Sequence, residues 1–138
     1  MPARFPYLPV SSGRGDALLM PFVPLELRFQ DGEPVQAHGL LDTGATVSVL
    51  PYGLGVRLGA VWEAQTTQVF LAGNLANQEA RALLVHGRLG AFAPVPLVFA
   101  WTRADGMPLL LGEVNFFEEF DVSFHRSRRH FEIEPAHK

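Results

Sequence analysis

The sequence contains no cysteine, which excludes disulfides, thiol nucleophiles and cysteine-based zinc sites and leaves the redox compartment unspecified. Charge is also scarce: 18% of the residues are Asp, Glu, Lys or Arg, with a formal sum of −3. Binding a phosphate backbone calls for a basic face, so nucleic acid is not an expected partner. One cluster of positive charge, Arg126, Arg128 and Arg129, falls between two β-like runs, where arginines solvate a turn or protect a sheet edge. Long hydrophobic runs are missing too. Ala17 to Leu27 is interrupted by Pro21, Pro24 and Glu26 and is too short to cross a bilayer. Met1 to Val10 carries Pro2, Pro6 and Pro9 and has no apolar signal core. A cytoplasmic protein without a membrane partner is the expectation.

What is present favours β structure. The 138 residues are 48% hydrophobic, with 13 glycines and 11 prolines, a mixture suited to short strands and tight turns in one domain. Residues 1–20 read as an extended arm because prolines are followed by Ser11-Ser12-Gly13-Arg14-Gly15-Asp16; residues 21–135 form the domain. Phe22, Leu25, Leu27 and Phe29 mark a first strand, Asp31-Gly32 supplies turn chemistry, and Val35 to Leu41 returns as a second strand. Val47 to Pro51 reads as a short buried strand, and Tyr52 to Gly59 as a turn-rich connection or one helical turn. Val61 to Leu71 and Ala80 to Gly87 are the arms of a projecting hairpin. Pro94 to Trp101 and Leu109 to Gly112 follow as strands, the latter intensely apolar. The spacing of Val114, Phe116, Phe117 and Phe120 predicts a helix over about 113–120, and the pair Asp121 to Phe124 and His130 to Ile133 closes the chain.

The most chemically loaded segment is Leu40-Leu41-Asp42-Thr43-Gly44-Ala45, entered from a strand. A strand ending in Asp, then a small hydroxyl residue and glycine, exposes a carboxylate at a sharp turn where backbone N–H groups can approach it. An ordinary Asp-Thr-Gly turn is the plain alternative, but two apolar residues followed by this pattern arise by chance in about one chain in a thousand of this length.

With this signature the sequence resembles the retropepsin-like (retroviral-type) aspartic proteases and their bacterial single-domain relatives. The resemblance runs through the leading hairpin 22–41, the signature Leu41-Asp42-Thr43-Gly44-Ala45, Val49-Leu50-Pro51, a flap-like hairpin near 69–85, Leu110-Leu111-Gly112 before a helix, and the closing Phe120-Asp121-Val122. It implies a mainly β, closed acid-protease barrel with one short C-terminal helix. It further implies an aspartic endopeptidase in which each subunit of a homodimer contributes Asp42, supported by Thr43, Gly44 and Ala45, to one dyad acting on an extended polypeptide. Such chemistry needs no metal or cofactor. Substrate contacts are implied for the flap residues Leu71, Ala72, Gly73 and Asn74 and for the pocket residues Leu110, Leu111 and Gly112. Two positions depart from the viral pattern: Thr46 stands where viral members usually carry Asp, and Glu113 where many carry Arg, a pair that braces the viral dimer. This leaves an alternative reading, a catalytically inert or weak module of the same fold that dimerises or binds peptide.

Other chemistries have less support. His38, His86, His125, His130 and His137 show none of the helical or knuckle spacings of zinc sites, and His125 and His130 would face opposite sides of a single strand. No metal is expected. Asp42 and Glu113 could form a glycosidase pair, but nothing in the sequence sets the separation that chemistry requires. Ser11, Ser12 and Ser48 lack a nucleophile-elbow context.

Overall fold

The computed structural model of the chain describes residues 1–11, 15 and 17–137. In chain order its strands are β1 (Ala3–Pro6), β2 (Leu8–Ser11), β3 (Ala17–Met20), β4 (Phe22–Arg28), β5 (Val35–Leu41), β6 (Ser48–Leu50), β7 (Gln68–Val69), β8 (Ala80–Arg88), β9 (Val95–Thr102), β10 (Leu109–Leu111), β11 (Phe120–His125) and β12 (His130–Pro135). Helix α1 (Tyr52–Arg57) follows β6, and α2 (Phe116–Glu119) precedes β11. Neither is long or apolar enough to cross a membrane.

Six strands close a barrel in the order β4-β5-β10-β6-β9-β8, sealed by antiparallel pairing of β8 with β4. Closure removes the sheet edges that would otherwise recruit other chains. The alternation along β8 and β9 shows why the sequence curls this way. Leu83 lies opposite Phe99 and Val85 opposite Leu97, all four buried, while Leu84 and His86 between them face outward. The leading hairpin forms as its sequence suggests, with Leu27 opposite Val35 and Phe22 opposite Leu40. Its turn is closed by the Gly32 N–H on the Phe29 carbonyl at 2.9 Å, and Gln30 takes the left-handed backbone, φ 51°.

One end of the barrel is filled by aromatics. Trp101 is fully buried, stacks on Tyr52 at 5.7 Å and meets Trp62 edge-on at 5.2 Å. The indole N–H of Trp101 donates to the Tyr52 carbonyl at 3.1 Å, so its polar atom is satisfied inside the core. This cluster explains a departure from the expected β arm over Val61 to Leu71. Trp62 turns inward in a 3₁₀ turn, Trp62–Ala64, Arg81 donates to the Trp62 and Gln65 carbonyls at 2.8 and 3.2 Å, and strand pairing is confined to β7.

Outside the barrel, β1, β12 and β11 form a three-stranded sheet, and β2 and β3 pair as a hairpin. The described part of the N-terminal arm is therefore paired strand: Phe5 lies opposite Phe131, and Tyr7 is buried in the core cluster. Ser12, Gly13, Arg14 and Asp16 lie outside the described residues. The C-terminal helix is shorter than the apolar spacing predicts. Phe116 and Phe120 are buried, with ring centroids 5.0 Å apart, but Val114 is paired with Val47 in a parallel β-bridge, so the chain there is committed to strand pairing before the helix begins.

Candidate active site

The Asp42 loop is made by a threading of three strands. β10 lies between β5 and β6, parallel to the first (Leu110 beside Leu40) and antiparallel to the second (Leu110 beside Val49). The chain leaves β5 at Leu41, turns through Asp42-Thr43-Gly44-Ala45, and returns as β6 on the far side of β10. The turn is therefore held from both flanks by strands distant in sequence. The Asp42 N–H donates to the Leu111 carbonyl at 3.0 Å, and the Ala45 N–H to the Asp42 carbonyl at 3.1 Å.

The Asp42 carboxylate is half-buried and accepts the Gly44 N–H at 3.0 Å on Oδ1. This charge-assisted bond fixes its orientation while leaving acceptor capacity free. Thr43 and Gly44 are exposed, whereas Ser48, Val49 and Leu50 behind them are buried. A Cβ at Gly44 would meet only Asp42 Oδ1, at 3.4 Å, an ordinary contact. This chain's own packing does not require glycine there.

Gly112 is different. A Cβ at this position would lie 2.6 Å from the Val47 carbonyl oxygen and 2.7 Å from that of Ala45, both backbone atoms that cannot rotate away. Its N–H donates to the buried Ser48 hydroxyl at 3.0 Å. Glu113 N–H to Ala45 O at 2.9 Å, Val114 N–H to Thr46 O at 2.9 Å and Ser48 N–H to Val114 O at 3.0 Å continue the seam. Segments 45–48 and 112–114 are thus laced together by main chain at Thr46 and Glu113, whose side chains are exposed.

The structure brings Asp42, Ala45, Leu110, Leu111 and Gly112 together; Leu111 is buried and Leu110 half-buried. Leu71, Ala72, Gly73 and Asn74 lie in the long connection between β7 and β8, where a 3₁₀ turn, Gly73–Leu75, occupies the tip. Gly73 takes a left-handed φ of 65°. Among the described residues no backbone hydrogen bond joins 71–74 to the Asp42 loop; the Ala76 N–H on the Gly73 carbonyl closes the tip on itself. A cleft of about 530 Å³ lined by Glu26, Arg28, His86, Arg88 and Pro94 lies on the outer seam of the barrel and includes no residue of the Asp42 loop.

Two features escape the sequence reading. Ser48, read there as a strand residue, holds Gly112 beside the loop; a hydroxyl two residues before a proline-stopped strand end gives no local sign of this. His125 and His130, expected to share no site, are opposite one another across the β11–β12 hairpin, with ring centroids 4.9 Å apart. The parity argument applies within one strand, and the turn at 126–129 places the two residues on two.

Comparison with solved structures bears on the fold. The chain is similar to EIAV protease complexed with an inhibitor, with a TM-score of 0.54, 18% identity, and coverage of 79% of this chain and 92% of that one. It is also similar to the retroviral protease-like domain of Ddi1 from Leishmania major, with a TM-score of 0.59, 15% identity, and coverage of 86% and 94%. The fold is retropepsin-like. Sequence comparison finds no matching family model and no matching curated relative.

Proposed function

We propose that this protein is an aspartic endopeptidase that acts as a homodimer, with Asp42 of each copy forming one catalytic dyad. The observation that carries the reading is the Asp42 turn itself: a carboxylate at a strand end, oriented by the Gly44 N–H and presented beside the exposed Thr43 and Gly44 on a retropepsin-like barrel. One chain supplies half of the required chemistry. Because a Cβ at Gly44 would fit its own loop, glycine there makes sense as room for a neighbour, either substrate backbone or the second copy.

Two carboxylates about 3 Å apart cannot both ionise, so the pair holds one proton and titrates as a unit. The ionised Asp42 removes a proton from a water whose oxygen attacks the scissile carbonyl carbon; the protonated Asp42 of the other copy gives its proton to the carbonyl oxygen. A tetrahedral diol results. Proton return to the amide nitrogen then lets the C–N bond break, yielding a free amine and a carboxyl group and restoring the single shared proton. The β7–β8 connection, including Leu71 to Asn74, would close over an extended peptide by adding strand-like hydrogen bonds, with Leu110 and Leu111 as apolar pocket wall.

A second reading, a dimerising or peptide-binding module with little or no activity, draws on Thr46 and Glu113, which replace the side-chain pair that braces viral dimers. The main-chain seam between 45–48 and 112–114 holds the Asp42 loop in place within each chain without that pair, as the enzyme reading requires. A peptide-library digest of wild type beside Asp42→Asn, over about pH 3 to 8 to bracket dyad titration, separates the two. The enzyme reading expects cleavage that falls at least about a hundredfold in the variant; equal absence of cleavage in both proteins supports the binding module.

A further inference from the structure

We propose that the outward face of the three-stranded sheet binds a divalent transition-metal cation of borderline softness, with His125, His130 and Glu132 as its protein ligands. The register of the sheet assembles them. His125 on β11 is the direct partner of His130 on β12, and Glu132, two residues on, points to the same side as His130. The opposite side carries the fully buried Phe131 and Ile133, so the backbone that presents the ligands is anchored in the core. One donor atom from each of the three residues lies within 4.8 Å of the others, His130 Nε2 is 3.8 Å from Glu132 Oε2, and all three residues are half-buried.

Two imidazoles and a carboxylate suit zinc, nickel, copper or iron better than calcium or magnesium, and leave coordination positions for water. Bonds of about 2.0–2.2 Å place tetrahedral ligand atoms roughly 3.3–3.6 Å apart. The donors need to close by only about an ångström, within the reach of small side-chain rotations.

Cationic groups already occupy some of these lone pairs. Arg4 donates from Nε and Nη2 to Glu132 Oε2 at 3.2 and 3.1 Å, and Arg128 Nη2 lies 2.9 Å from His125 Nδ1. Arginine has no acceptor, so Nδ1 presents its lone pair, and a metal bound at that nitrogen displaces Arg128. Both arginines are exposed and free to swing outward. Arg126 is engaged elsewhere, on the Leu19 carbonyl and over the Tyr7 ring. The guanidinium groups compete with the metal and weaken its binding. A bound ion would fasten the tip of the β11–β12 hairpin. The neighbouring Asp121, Glu134 and His137 are more exposed and serve as the control.

Zinc titration of the tag-free full chain by calorimetry tests the site. Wild type is expected to bind one zinc per chain; His125→Ala/His130→Ala together and Glu132→Gln weaken binding at least about tenfold. His137→Ala stays within about twofold and Arg128→Gln tightens binding severalfold, as loss of a competing positive charge requires. If the histidine variant misfolds, zinc titration of wild type followed through its imidazole NMR signals decides: His125 and His130 shift while His38 and His86 do not. Absence of zinc binding by wild type, retention of wild-type affinity in the folded double variant or Glu132→Gln, or zinc-induced shifts confined to other histidines would overturn the proposal.

Discussion

At the scale of single residues, two positions outside the Asp-Thr-Gly triplet, Ser48 and Gly112, carry its geometry. Ser48 is 1% exposed and its hydroxyl receives the Gly112 N–H. Ser48→Ala leaves that buried donor unpaired and is expected to cost about 1–3 kcal/mol, read from urea unfolding, while Ser48→Thr, which keeps the hydroxyl, should recover part of the loss. Gly112→Ala is harsher in kind because its Cβ meets two backbone oxygens. Overpacking of this sort costs roughly 1–3 kcal/mol or more, and relief by separating 45–47 from 112 disturbs the Asp42 loop directly. The expectation is a double defect, lower stability and lower peptide cleavage, whereas Gly44→Ala, with room in its own loop, should lose cleavage while holding stability to within about 1 kcal/mol.

At the scale of elements, the seam between β4 and β8 closes the barrel, and Glu26 opposite Arg88 sits on it. The Arg88 guanidinium, 3.0 Å away, holds the Glu26 carboxyl below its ordinary 4.5, with the Gln36 amide helping and desolvation opposing. A carboxyl depressed on folding contributes stability that is present above its unfolded pKa and lost as pH falls through the folded value. Glu26→Gln should therefore be less stable than wild type near neutrality, and the gap should vanish as pH drops through the folded value, below 4.5; urea midpoints across an acid series provide the check. A gap that widens toward acid would refute the assignment.

Elements also show what local sequence can and cannot disclose. The 22–41 hairpin was readable because turn residues and alternation act over a few positions. The helix over 113–120 contracts to 116–119 because Val114 pairs in a β-bridge with the distant Val47, a competition that apolar spacing does not register. Arg4 meets Glu132 across 128 positions, and His125 meets His130 only through the register of a hairpin. Asp42 was legible from its triplet; the strand threaded behind it and the Ser48 bond were not, since both depend on which segments the barrel brings together.

At the scale of the whole molecule, the proposed function assigns the second half of the site to a second copy, a proposal that draws on the half-buried Asp42 and the exposed Thr43. Sedimentation should find a dimer under conditions where peptide is cleaved. The most direct test of the shared dyad is activity in mixtures of wild type and Asp42→Asn, co-refolded at varied ratio and fixed total concentration. If each site needs Asp42 from two copies, mixed dimers are inactive and cleavage falls as the square of the wild-type fraction. A linear fall would show that each chain works alone and would contradict the account.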